Sequence, residues 1–394
     1  MLALAELMHV RELIGPLVAA LCVPLTFALG RRWFGAGRAQ LGAALLVLSP
    51  HFVGTAGTLL SQPTSCLMLL LGLWLLVRAE ESGGVLALLA ALAFGFGVLV
   101  RPLPGGLFAL VAVAWALFAA ARAERAERGP AIARAAWLTL GAALGGCAVL
   151  AVNYVQTGDA LTSGYHQAHG SVRVFENKHA DLASSLFGAL LRENIWLLGV
   201  PGCLIPVLFA RPQRMAALYW GMLAAELSYR LISPKTVVAS TGPVYLTEVV
   251  PLLLLGVVDG LGRARERVRF DGAALRSAAP QLTAAALAVA CCMFWPVQWR
   301  TLRRSVDART MLPRALESAG AQRALVFADA LVYPASQHSW AYFPDNPSPD
   351  LSDDVLYVRV PKRDIARNAR ELWQRRFADR RAFLLSWNAR GEPV

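Results

Sequence analysis

Long apolar stretches recur along the chain, separated by short polar connections, and each is about as long as a helix needs to cross a bilayer, roughly 20 residues. The pattern predicts about ten spans, at residues 13–30, 40–58, 63–78, 84–100, 104–121, 133–153, 194–210, 215–232, 242–261 and 279–298. Past residue 300 the pattern changes. From Met311 to Val394 it shows a helical segment, the apolar run RALVFADALVY, a Pro-, Ser- and Asp-rich loop, a strand-like DDVLYVRV, a charged helix near 364–377 and a last strand AFLLSW. Strands alternating with helices at this spacing predict a small three-layer α/β unit. The expected organisation is a transmembrane domain over 1–299 and an α/β domain over 300–394.

The basic residues orient the spans, because Lys and Arg near helix ends stay on the cytoplasmic side. Arg31, Arg32 and Arg38, then Arg78, then Arg122, Arg125, Arg128 and Arg134, then Arg211 and Arg214, then 263–276, fall on every second connection. The connections between them are expected to face outward: 48–63, the Arg101-Pro102 turn, a loop of about 40 residues after Asn153, and 233–241. The C-terminal domain emerges on that side too. The segment Met1–Leu13 has no basic region of the signal-peptide kind and reads as an amphipathic entry to the first span. A first span running inward from the outer face leads us to expect at least one further helix and its outer loop upstream.

Composition agrees, since 56% hydrophobic and 16% charged residues in 394 are too apolar for a soluble globular chain. The formal charge of +12 lies largely in cytoplasmic connections, where topology accounts for it, so no nucleic-acid partner is expected. The six cysteines, Cys22, Cys66, Cys147, Cys203, Cys291 and Cys292, sit in apolar stretches without metal-site spacing. They read as small packing residues, and no metal or cofactor is called for.

Five segments resemble the GT-C type membrane glycosyltransferases, near the ArnT and protein mannosyltransferase group (glycosyltransferase family 39-like). LSPHFVGTAGTLLSQPTSCLMLLLGLWLLVR, from Leu48, looks like that family's outer turn. ALAFGFGVLVRPLPGGLFAL, from Ala91, is similar to its Gly-spaced helix ending in Arg-Pro. NYVQTGDALTSGY, from Asn153, resembles the start of its large outer loop, and SLFGALLRENIWLLGVPG, from Ser185, the helix leading back to the bilayer. STGPVYLTEVVPLLLLG, from Ser240, is similar to a Gly-Pro-Arg-Tyr segment, with Val244 where arginine is usual.

The resemblance implies a transferase in a bacterial inner membrane that moves a sugar from a polyprenyl-phosphate donor to a lipid, glycan or protein acceptor on the periplasmic face. Such chemistry needs a carboxylate to take the acceptor proton and cations to meet the departing phosphate. The family's base is an aspartate on the first outer loop, which the chain does not include. A second acidic position of some relatives is Gln62 here, so the catalytic residue is unassigned.

Among residues on the outer face, Arg101 is suited to an anionic head group, because a guanidinium holds phosphate bidentately. It is equally an interfacial arginine snorkelling to lipid phosphates. Tyr165 suits an acceptor groove, and His166 and His169 of GYHQAH offer two imidazoles for a metal or a proton relay, or are polar surface; His51 and His179 share that face. Tyr245 and Glu248, three apart at the start of a helix, share a face expected to open outward, where Glu248 contacts a sugar hydroxyl or answers the helix dipole. Glu226 is intramembrane, with Arg230 four residues on as its expected partner. In the tail, the Asp345-Asn346-Pro347 turn and FADRR from Phe377 are acceptor contacts or solvated surface. Two other classes remain open: a non-catalytic scaffold derived from a glycosyltransferase, and a transporter, although the chain lacks the paired broken segments of the latter.

Overall fold

A computed structural model describes residues 13–58, 61–82, 84–163, 180–213, 215–232, 243–267, 288, 290–328, 351–359 and 369–385. It divides into two compact units, Met1–Trp295 and Pro296–Val394. The first unit is helical: α1 Ile14–Phe34, α2 Ala36–Leu48, α3 Pro50–Ala56, α4 Gln62–Ser82, α5 Gly84–Val100, α6 Pro102–Arg122, α7 Arg125–Thr157, α8 Ala180–Trp196, α9 Ala216–Ile232 and α10 Val250–Arg267, with 3-10 turns at Ile205–Phe209 and Val244–Val249.

Five of the described helices are long and apolar enough to cross a membrane: α1, α4, α6, α7 and the run Val244–Ala264. A sixth is counted if α2 and α3, bent by 56°, form one broken span, and α5 is apolar but 17 residues long. About ten spans were expected. The predicted span 194–210 is not one helix, because α8 stops at Trp196 and the chain then turns. Gly199 and Gly202 adopt φ of +73° and +85°, and Pro201 and Pro206 lack the amide an α-helix needs. Half of the span predicted at 279–298 lies outside the described residues.

The unit is apolar outside and carries buried polar side chains within an apolar core. Leu17 on α1, Leu110 on α6 and Leu144 on α7 are 55%, 62% and 52% exposed, whereas Thr26, Ser49, His51, Gln62 and Glu226 are buried. An apolar exterior around buried polar groups is what hydrocarbon solvent selects.

Small residues let α5 and α7 touch backbone to backbone. A Cβ added at Gly141 would lie 2.3 Å from the Ala91 carbonyl oxygen, and one at Gly145 would lie 2.4 Å from that of Gly95. This is the small-xxx-small mode of helix association in membranes, on both partners. Helix α7 stops at Gly158, whose φ of +77° lets its amide reach back to the Tyr154 carbonyl at 2.8 Å.

Asp259, buried on α10, gathers arginines from three connections. It accepts from Arg38 Nη1, from Arg263 Nε at 2.9 Å and from the Arg211 amide at 2.7 Å. Arg38, Arg211 and Arg263 thus stand at one end of the unit. Eleven residues earlier on the same chain segment stands Glu248, about 17 Å away along a helix axis. Of the connections predicted to alternate with those arginines, the Arg101-Pro102 turn meets Glu248, and His51 and Thr55 meet its neighbour Thr247.

The second unit holds α11 Trp295–Ser318, strands β1 Ala324–Ala328, β2 Val355–Arg359 and β3 Arg381–Leu385, and α12 Arg370–Arg376. The strands form a parallel sheet in the order β2-β1-β3. Leu316, Ala324, Val326 and Leu385 pack on one face, and Leu325, Phe327, Leu356 and Ala369 on the other. In FADRR, Asp379 pairs with Arg323 at 2.8 Å and Arg380 donates to the carbonyls of Leu351, Asp353 and Asp354. Those side chains hold the sheet edges together. The Asp345-Asn346-Pro347 turn lies outside the described residues.

Candidate functional site

Arg101 sits where α5 ends and α6 begins. Pro102 forbids the residue before it from continuing the helix, and Arg101 takes φ −142°, ψ 93° as the N-cap of α6. That break aims the side chain inward. Only 8% exposed, its guanidinium engages Glu248 through Nη1 and donates from Nη2 to the Tyr229 hydroxyl at 3.3 Å. The rings of Tyr229 and Tyr245 flank it, with centroids 5.6 and 5.7 Å from Cζ. Two aromatic faces and a carboxylate suit a desolvated guanidinium. Arg101 is therefore a buried, matched cation and not an arginine snorkelling to a lipid surface.

Tyr245 and Glu248 do share a face, as i and i+3 must in the 3-10 turn Val244–Val249. The face turns inward onto Arg101 and does not open outward: Glu248 is fully buried and Tyr245 half-buried. Pro243 and Pro251 bracket the turn. Glu226, fully buried on α9, lies within electrostatic reach of Arg101; the side chain of Arg230, its expected i, i+4 partner, lies outside what the structure describes. Tyr165, His166, His169 and His179 fall outside the described residues.

His51 is the second focus. Ser49 caps α3, accepting from the Phe52 amide at 3.4 Å and donating to the Leu197 carbonyl at 2.7 Å. This ties α3 to the end of α8, with His51 one residue beyond Pro50. Its Nδ1 lies 2.9 and 2.8 Å from the two oxygens of Glu193, and its Nε2 lies 3.0 Å from Thr247 Oγ1. All three side chains are fully buried. Thr247 precedes Glu248 directly, so one short turn joins the histidine pair to the arginine pair.

Glu193, Thr247 and Tyr229 escape a sequence reading. Glu193 reads as a polar residue at a helix end and Tyr229 as core; only contact with His51 and Arg101, from distant parts of the chain, singles them out. Asp159 is fully exposed. It accepts from the Leu161 amide at 3.0 Å and from the Thr162 hydroxyl at 2.6 Å, and these bonds hold its carboxyl below the usual carboxylate range. It shapes the turn after α7.

No curated protein and no solved structure matches the chain. Residues 6–150 match the family model described as dolichyl-phosphate-mannose-protein mannosyltransferase. That stretch covers α1 to most of α7 and includes both His51 and Arg101. Glu193, Tyr229, Thr247 and Glu248 lie beyond it. Residues 6–150 are thus similar to the dolichyl-phosphate-mannose-protein mannosyltransferase family, which supports a GT-C-like glycosyltransferase.

Proposed function

We propose that the chain is a membrane glycosyltransferase that takes a sugar from a polyprenyl-phosphate donor and passes it to a lipid, glycan or protein acceptor on the periplasmic face of a bacterial inner membrane. The observation that carries this reading is a buried cation, Arg101, between two tyrosine rings within the stretch that matches a lipid-phosphate-sugar-dependent family. In this reading Arg101 meets the donor phosphate. Glu248 holds the guanidinium in place until the phosphate replaces it, and Tyr245 bounds the pocket. Tyr165 and His166 belong to the acceptor side, and residues 300–394 form a periplasmic α/β domain. The general base lies outside this set.

A lipid monophosphate leaves with one phosphate group, so a single guanidinium with flanking donors supplies the charge it needs. The test is transfer of labelled sugar from polyprenyl-phosphate donors in liposomes, by the purified chain beside its Arg101→Ala variant. Transfer that disappears with Arg101 supports the reading. One observation favours a non-catalytic scaffold instead, namely that Glu248 already neutralises Arg101. Absence of transfer by the chain would select that alternative.

A further inference from the structure

The proton count around Thr247 is informative. Its hydroxyl oxygen stands 2.7 Å from the Val244 carbonyl, 3.0 Å from His51 Nε2 and 3.4 Å from Thr55 Oγ1. Thr55 spends its own proton on the His51 carbonyl at 2.9 Å. A carbonyl can only accept, so the single Thr247 proton goes to Val244, the shortest contact, and His51 Nε2 must then donate. Nδ1 meanwhile faces both oxygens of Glu193, an arrangement that also requires a proton between them. The imidazole is therefore engaged as a donor at Nε2 and shares a second proton with Glu193 at Nδ1. The pair is neutral overall, which is what full burial demands.

Such a pair is costly to bury and has no exposed atom with which to touch a substrate. Its one outward connection is to Thr247. The turn Val244–Val249 is pinned on one side by His51 through Thr247, and on the other by Arg101 through Glu248 and the Tyr245 ring. Among the described residues, the charged groups around this turn are Glu193 from α8, which reaches it through His51, Arg101 from the α5–α6 junction, and Glu226 from α9, whose charge reaches it through Arg101.

We propose that His51, held by Glu193, is a positioning residue for the Arg101 phosphate site: its bond to Thr247 sets the 3-10 turn so that Glu248 and Tyr245 hold the guanidinium ready for a lipid-linked phosphate. The inference rests on the donor-phosphate reading of Arg101. It adds three residues to the site, and none of them touches the reacting atoms.

The experiment uses the full chain in nanodiscs, with two readouts for wild type, Thr247→Val, Thr247→Ser, His51→Gln and His51→Leu. One is affinity for a short-chain polyprenyl monophosphate, with inorganic phosphate as competitor; the other is donor KM and kcat wherever transfer is detectable. Thr247→Val keeps the side-chain shape and deletes the hydroxyl. It is expected to weaken polyprenyl phosphate binding and raise KM roughly tenfold, the worth of about one buried hydrogen bond, with kcat within about twofold of wild type. Thr247→Ser restores the affinity. His51→Gln, which keeps a donor near the Nε2 position, loses less than His51→Leu. In the 15N spectrum of labelled histidine, the His51 ring shows both nitrogens engaged in wild type and a changed Nε2 signal in Thr247→Val.

Unchanged affinity and KM in a folded Thr247→Val overturns the proposal, as does a wild-type His51 engaged at one nitrogen only. If wild type binds the lipid phosphate but transfers no sugar, the glycosyltransferase reading fails, and the binding series still decides the positioning role. If wild type binds no lipid phosphate, both fall.

Discussion

Removing Arg101 should cost the protein more than removing Glu248. The two charges meet in a site that is 8% exposed on one side and wholly buried on the other. At a separation of about 4 Å and an effective dielectric near 20, their attraction is about 4 kcal/mol. Breaking a buried pair by deleting one member costs about 3–5 kcal/mol, because a lone charge stays behind, whereas replacing both with apolar groups of similar volume is close to neutral. The two single changes differ here. Arg101→Met strands the Glu248 carboxylate and withdraws a cation from Glu226, so it belongs at the upper end of that range. Glu248→Leu leaves Arg101 still facing Glu226 and the two tyrosine rings, so it belongs at the lower end. The double variant should recover most of the summed loss of about 8 kcal/mol, giving a coupling energy of about 6 kcal/mol. The assay is unfolding by SDS titration in mixed lipid–detergent micelles, run for all four proteins. Single changes each below about 1 kcal/mol, or strict additivity within about 0.5 kcal/mol, would refute the buried ion pair as the anchor of this site.

Other expectations concern places where the structure leaves little slack. Gly141→Val should lower the thermal unfolding temperature in detergent by forcing α5 and α7 apart, at a cost above about 2 kcal/mol, because its Cβ would meet the Ala91 backbone; Gly146→Ala, with open space around it, should not. Asp259→Asn keeps the shape but drops the charge that Arg38 and Arg263 share, and should cost about 2 kcal/mol in the SDS titration; no change would mean that solvent already screens it. The Asp159 carboxyl should titrate by NMR below about 3.9, the ordinary aspartate value. Because the folded state depresses it, its contribution is present above that value and disappears as pH falls through the folded pKa; titration at or above 3.9 would remove the turn from the account.

The apolar runs were enough to specify a helical membrane protein, since period and length are local properties that hydrocarbon thickness selects. The alternation of arginines was equally local. Arg38, Arg211 and Arg263, placed together by their charge alone, do stand at one end of the helical unit, on Asp259. Strand runs in the tail were legible from β-branched and aromatic clustering at 324–328, 355–359 and 381–385. The run 194–210 misled because hydrophobicity outweighed its glycines and prolines, and backbone geometry, not composition, ended the helix there.

The candidate site was legible in its parts only. Arg101 announced itself as a lone cation beside a proline, and His51 as a histidine after Ser-Pro, because each is chemically out of place in an apolar sequence. Their partners carried no such mark. Glu193 lies 142 residues from His51, and Glu248 lies 147 residues from Arg101; no local period connects positions so far apart. Whether a cation meets lipid, solvent or a carboxylate depends on what the helices bring beside it. Sequence by itself determined which segments are apolar and where charge interrupts them. Only the packing of α3, α5, α6, α8 and α9 around the turn 244–249 decided that the interrupting charges face one another, because burying a charge is tolerable only beside its counter-charge.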